Sequence, residues 1–154
     1  MKLKLKFKFY SLVIKGLIIL VHEWALAEAL IRYVKELSKE RGVNRVSKLV
    51  IKLGILQSID RNVLEFSIME LAKINNLIIE SLVFEDEDAI LKCRACGYEW
   101  SLDMSELDED VKEAVHFVPE VVHTFIKCPK CGSRDFEIVK GRGIAIKEVV
   151  FRGS

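Results

Sequence analysis

From Trp24 to about Arg41, Ala27, Leu30, Ile31, Val34 and Leu37 recur at three- and four-residue intervals, which predicts an amphipathic helix stopped by Gly42. Val46 to Leu53 reads as a strand, with Val46, Leu49 or Val50, Ile51 and Leu53 apolar against Lys48 and Lys52, and Gly54 ends it. A second helix opens near Asp60, a residue suited to the N-cap. Its expected buried side is Val63, Leu64, Phe66, Ile68, Leu71 and Ala72, and Asn75-Asn76 closes it. Ile78 to Phe84 and Ala89 to Lys92 read as strands, and the acidic run Glu85 to Asp88 between them as a solvated turn. Phe136 to Phe151 reads as strand, interrupted at Gly141-Arg142-Gly143 by a tight turn. Such a turn fits the glycines better than a phosphate-binding loop does.

The first twenty residues break this pattern. Lys2, Lys4, Lys6 and Lys8 alternate with apolar residues up to Phe9, which suits an edge strand. A signal-peptide reading is weakened by Lys15 inside the apolar stretch, and by a cleavage-like Ala25-Leu26-Ala27 that lies within the first helix. A membrane span wants about 18 unbroken apolar residues, and none is present. The preferred expectation is that residues 1–20 are a leader drawn in front of the natural start, with Val21 translated from a GTG start codon.

Four cysteines fall as two doublets, Cys93-x-x-Cys96 and Cys128-x-x-Cys131, each followed by glycine. This spacing lets both thiolates of a doublet reach one ion, and four thiolates satisfy tetrahedral Zn²⁺ at about 2.3 Å. Iron in a rubredoxin-like site, or a pair of redox disulfides, would use the same residues. A set of four cysteine ligands leaves no open position, so the expected zinc is structural and no catalytic zinc is expected. The fold class that follows is α/β or α+β. A small mixed sheet carries two helices on one face, and a zinc-ribbon module (residues 91–132) is inserted into a domain made of 21–90 and 133–152.

Charge narrows the partners. The net +1 conceals five lysines and no acid in residues 1–20; without them 19 basic and 23 acidic side chains remain, a net −4. That balance disfavours nucleic acid, whose binding leans on phosphate neutralisation, and the sequence offers no basic stripe or aromatic platform. Unpaired thiols fit a reducing, cytoplasmic setting.

The chain has three histidines, His22, His116 and His123, and singly each passes for an ordinary surface residue. Glu23 is accounted for by the helix dipole alone. If residue 21 carries the free α-amine, the set changes character. That amine, the deprotonated amides of His22 and Glu23 and the His22 imidazole would give four nitrogens in a plane, which suits Ni²⁺ or Cu²⁺.

Taken together, "HEWALAEAL", the strand ending "KLG", "KCRACGYEW", "HFVPEVVH" and "CPKCGSRDFEIVKGRG" resemble the HypA family in its archaeal form, over residues 21–146. That family comprises nickel metallochaperones of nickel–iron hydrogenase maturation. The resemblance implies a nickel site at Val21, His22 and Glu23, and a structural zinc on Cys93, Cys96, Cys128 and Cys131. It makes His116, rather than His123, the candidate extra nickel ligand. It implies a carrier and not an enzyme, with Ni(II) as cargo and Zn(II) as resident metal. The implied partners are the nickel-handling GTPase of the pathway and the hydrogenase large subunit, with neither nucleic acid nor membrane. The rival is a zinc-ribbon binding module for nucleic acid or a protein complex. Family members begin Met-His-Glu, so the leader is a departure. Another is Ile55, which stands where the family commonly has an acid and alters either a partner contact or local packing.

Overall fold

The computed structural model describes residues 23–57 and 59–153. The leader, Val21 and His22 lie outside the described residues. The described residues divide into two compact units, 23–52, 60–85 and 144–153 in the first and 53–57, 59 and 86–143 in the second.

In the first unit α1 (Glu23–Arg41) buries Ala27, Leu30, Ile31, Val34 and Leu37, the stripe its spacing predicts. It ends where Gly42 N–H reaches Lys39 O at 3.2 Å and Val43 N–H reaches Ser38 O at 3.1 Å, closing the orphan carbonyls of the last turn. Strand β1 (Arg45–Gly54) follows. Leu49, Val50 and Ile51 are all buried, so its centre is covered on both faces, and the expected choice between Leu49 and Val50 does not arise.

Helix α2 (Arg61–Ile74) opens on Asp60, whose side chain accepts the Val63 N–H at 3.1 Å. Its buried stripe is Leu64, Ser67, Ile68, Leu71 and Ala72. Val63 and Phe66, expected inside, are 47% and 63% exposed. At 100° per residue Ser67 shares the inner side with Leu64, Ile68 and Leu71, and Phe66 falls nearly opposite. The serine can occupy that side because its hydroxyl donates to Val63 O at 2.8 Å, satisfying the polar group. Its burial therefore costs little.

Beyond Asn76, which takes φ 55°, β2 (Ile78–Ile79) pairs in parallel with β1, Arg45 opposite Ile78 and Val46 opposite Ile79. A parallel pair needs a long crossover, and α2 supplies it. Strand β3 (Leu82–Glu87) also pairs with β1, as does β7 (Ile144–Phe151), completing a four-stranded sheet. Glu85, Asp86 and Glu87 thus belong to a strand, correcting the expected turn. Only Asp88 stands between β3 and the next strand. The charges are met by distant partners: Lys147 Nζ donates to Glu85 at 2.5 Å, and the Gly141 N–H to Glu87 at 3.3 Å.

In the second unit β4 (Ala89–Cys93) lies between β5 (Glu99–Leu102) and β6 (Phe136–Lys140), antiparallel to both. The shift from Ile90 opposite Lys140 to Leu91 opposite Ile138 leaves Val139 as a bulge, 38% exposed. Between β5 and β6 come α3 (Glu109–Phe117) and the short α4 (Val122–Phe125). The acids of this insert have a local explanation, since Glu109 and Asp110 occupy the first turn of α3, where the helix dipole favours anions. Leu56, Leu91, Leu102, Val115, Val122 and Phe136 form the unit's core. Ile55 packs against that core, which gives the departure from the family's acid a local packing reason.

The α2 register yields a contrast. Leu64→Ala should cost about 2–5 kcal/mol as a core truncation. Phe66→Ala should stay within about 0.5 kcal/mol, because the ring is already largely in water. Urea midpoints of the two variants check this, and equal losses would contradict the observed helix face.

Candidate metal centre

Each cysteine doublet lies on a tight turn of the same build. Gly97 N–H donates to Cys93 O at 2.9 Å and Gly132 N–H to Cys128 O at 2.8 Å. Cys93 N–H donates to Tyr98 O and Cys128 N–H to Ser133 O, both at 2.8 Å. Gly97 and Gly132 take φ of 74° and 76°, a conformation a side chain would strain, which explains the glycine after each doublet.

Pairing of β4 with β6 sets Cys93 opposite Phe136 and brings the two turns together. Cys93 Sγ lies 3.5 Å from Cys131 Sγ, and Cys96 Sγ lies 3.7 Å from Cys128 Sγ. All four sulfurs fall within 4.8 Å of one another, with Cys93 and Cys128 buried and Cys96 and Cys131 exposed. A tetrahedral ion with bonds of about 2.3 Å needs sulfurs about 3.8 Å apart, so the cluster fits one such ion.

The electrostatics ask for a cation. Burial raises the Cys128 thiol, but the N–H groups of Cys131 and Lys130 and the thiols of Cys96 and Cys131 outweigh it and bring it to about 7. At Cys131 the Ser133 N–H lowers the thiol, yet Cys93, Cys96 and Cys128 around it, together with burial, push it up to about 12. One sulfur ionises readily and the next resists, because the charge is shared across a single cluster.

An aromatic series flanks the turns. Tyr98 stacks on Trp100 at 6.3 Å, Trp100 meets Phe136 edge-on at 5.4 Å, and His123 stacks on Phe136 at 4.1 Å. Lys130 Nζ sits 5.9 Å from the Tyr98 ring centroid. Strand pairing sets Trp100 and Phe136 on either side of β4. The series is internal packing and not an open platform, for Phe136 is fully buried and Tyr98 is its exposed end. It also holds His123, whose Nδ1 lies 3.2 Å from Arg134 O.

The other anticipated residues are placed as follows. Glu23 begins α1 in the first unit, and its carboxylate accepts the Asp60 N–H at 3.2 Å. His116 is half-buried in the last turn of α3 in the second unit, with Nδ1 against the Gln57 carbonyl. Among the described residues neither Glu23 nor His116 joins a second cluster of metal-binding groups. Val21 and His22 lie outside the described residues.

The cluster predicts one tightly held divalent ion per chain, read by elemental mass spectrometry. Cys93→Ser and Cys128→Ser should each abolish it. Strong chelators should loosen the second unit, seen as a red shift of Trp100 emission in a Trp24→Phe background. Full retention of the ion by either variant would count against a four-sulfur site.

A family model described as "Hydrogenase/urease nickel incorporation, metallochaperone, hypA" matches residues 21–151. The chain is 47% identical over 128 residues to hydrogenase maturation factor HypA of Pyrococcus horikoshii, covering 82% of this chain and 92% of that protein. It is 43% identical over 132 residues to the Pyrococcus furiosus protein of the same name, covering 84% and 95%. The solution structure of the nickel metallochaperone HypA from Helicobacter pylori shares the fold at a TM-score of 0.58 and 16% identity, over 87% of this chain and all of that one. With the family model spanning most of its length and relatives above 40% identity, this chain belongs to the HypA family.

Proposed function

We propose that this protein carries Ni(II) as cargo on a chain end at residue 21 and delivers it for nickel–iron hydrogenase maturation. In this reading it is not an enzyme. The donors are the Val21 amine, the His22 imidazole and the main-chain nitrogens of His22 and Glu23, in the domain made of residues 21–90 and 133–152. The observation that carries this reading is the family match over residues 21–151, whose description is nickel incorporation.

His116 is the proposed further nickel ligand. It lies half-buried in the last turn of α3, and a neutral imidazole is a common ligand of such an ion. The metal on Cys93, Cys96, Cys128 and Cys131 is proposed to be Zn(II), structural because all four positions are protein sulfur. The proposed partners are the nickel-handling GTPase of the pathway and the hydrogenase large subunit, in the cytoplasm. No helix among the described residues is long and apolar enough to cross a membrane.

The aromatic series beside Tyr98 is what favours a nucleic-acid-binding ribbon. Charge decides against it: the second unit carries 13 acidic and 8 basic side chains, a net −5, and phosphate would be repelled. No shifted band is expected in a gel-shift at physiological salt, and saturable binding would revive the rival.

A carrier should hold its ion with a Kd on the micromolar scale, about −8 kcal/mol, so that it binds selectively and still releases. Amine, amides and imidazole must all lose protons first. An ordinary imidazole titrates near about pH 6.5, so affinity should fall as pH drops through that range. Titrations with Ni(II) from pH 5 to 8, on chains starting at residue 21 and at residue 1, test this. They are followed by Trp24 emission in a Trp100→Phe background. The short chain should bind at least tenfold tighter, and His22→Ala should remove that advantage. A pH-independent affinity, or equal binding by both chains, would refute the amine-terminal site.

A further inference from the structure

We infer that the Glu23 carboxylate is a positioning group and not a metal ligand: its bond to the Asp60 amide holds the start of α1 against the cap of α2. The inference rests on the nickel reading above for its purpose, but the tether itself is read from the protein's own atoms.

Glu23 has one carboxylate and two possible uses for it. It could bind a cation held at residues 21–23, or it could accept a hydrogen bond from protein. Glu23 Oε1 lies 3.2 Å from the Asp60 nitrogen. Asp60 is itself the N-cap of α2 and accepts the Val63 N–H at 3.1 Å. Two carboxylates therefore serve one helix start, Asp60 from inside the turn and Glu23 from α1. The positive end of the α2 dipole favours both. The far end of α2 is joined to α1 as well, by Lys35 Nζ, two-thirds of the way along α1, donating to Asn75 O at 2.5 Å. Polar contacts to α1 thus tie α2 at both of its ends.

The tie at Glu23 differs from the tie at Lys35 in where it acts. It fixes the backbone of the residue whose main-chain nitrogen the nickel reading uses. A free chain end explores many φ/ψ states, and fixing one residue has an entropic cost. A side-chain anchor at Glu23 meets part of that cost before the metal arrives. The carboxylate then acts by presenting the backbone nitrogen, which separates Glu23 from an ordinary acidic ligand such as an aspartate on a divalent ion.

Two substitutions divide these roles. Glu23→Gln keeps an oxygen that can accept the Asp60 N–H but removes the anionic donor. Glu23→Ala removes both. In the metal-free full chain, amide exchange at Asp60 should be slow in the parent and in Glu23→Gln, and at least tenfold faster in Glu23→Ala. Equal exchange in the parent and Glu23→Ala would overturn the tether, whatever the protein does with nickel. The same substitutions are then made in the chain starting at residue 21, which retains every described residue, and titrated with Ni(II) sulfate. Glu23→Gln should bind within about threefold of its parent, and Glu23→Ala about tenfold more weakly. The nickel d–d absorption should be unchanged across all three, because the donor atoms are the same. A Glu23→Gln variant that loses as much affinity as Glu23→Ala, with a shifted absorption, would make the carboxylate a ligand and overturn the inference. Failure of the parent chain to take nickel, with Asp60 protection intact, would instead remove the proposed function and leave the tether standing.

Discussion

Four sulfurs held within 4.8 Å of one another cannot all be thiolate unless a cation sits among them. That constraint shapes the second unit. The cysteines lie at the ends of strands that have little else to hold them: β5 has four residues, and β4 and β6 have five each. Three short strands with a core of modest size are marginal without a staple. The turns at Gly97 and Gly132 direct their main-chain N–H groups near the sulfurs, and the aromatic series from Tyr98 to His123 packs the flank. A metal held there would replace the apolar area that a larger domain buries.

The first unit is stabilised differently. Its centre is a strand covered on both faces, and its helices meet along residues with no formal charge. Polar contacts appear at the edges, where Glu80 receives Arg45 at 3.0 Å and Arg152 at 3.3 Å. Glu80's side chain is only 25% exposed, so this three-residue network contributes more than the solvated pairs of α1 and α2, which are worth a few tenths of a kcal/mol each. The first unit is thus held by burial, where the second leaves room for coordination to contribute.

Local chemistry was legible in the sequence and cross-chain chemistry was not. The cysteine spacing with its glycines, the α1 stripe and the Asp60 cap all depend on neighbours within a few residues, and each appears as read. Val63 and Phe66 were misassigned because hydrophobicity alone ranks phenylalanine above serine. The hydroxyl of Ser67 had a carbonyl one turn away and took the inner position. Glu85 to Glu87 look like a turn until Lys147, some sixty residues on, supplies a counter-charge. The aromatic series joins residues 98, 100, 123 and 136, which only the β4–β6 register brings together. Glu23 was legible as a helix-start acid, but nothing local could say that its carboxylate would serve a different helix.

That last point bears on how a carrier can bind and release the same ion. A site built from main-chain nitrogens at a helix start makes affinity depend on how well the chain end is held, as well as on donor identity. Loosening the end weakens the grip without removing a ligand. On the proposed reading, a side chain that never touches the metal holds that end from outside the coordination sphere. Trp24, 44% exposed in the first turn of α1, and Val63, 47% exposed in the first turn of α2, are carried by the two helix starts that this tether joins. On that reading, release needs no more than a shift of one helix start against the other, which costs a hydrogen bond worth about 1 kcal/mol.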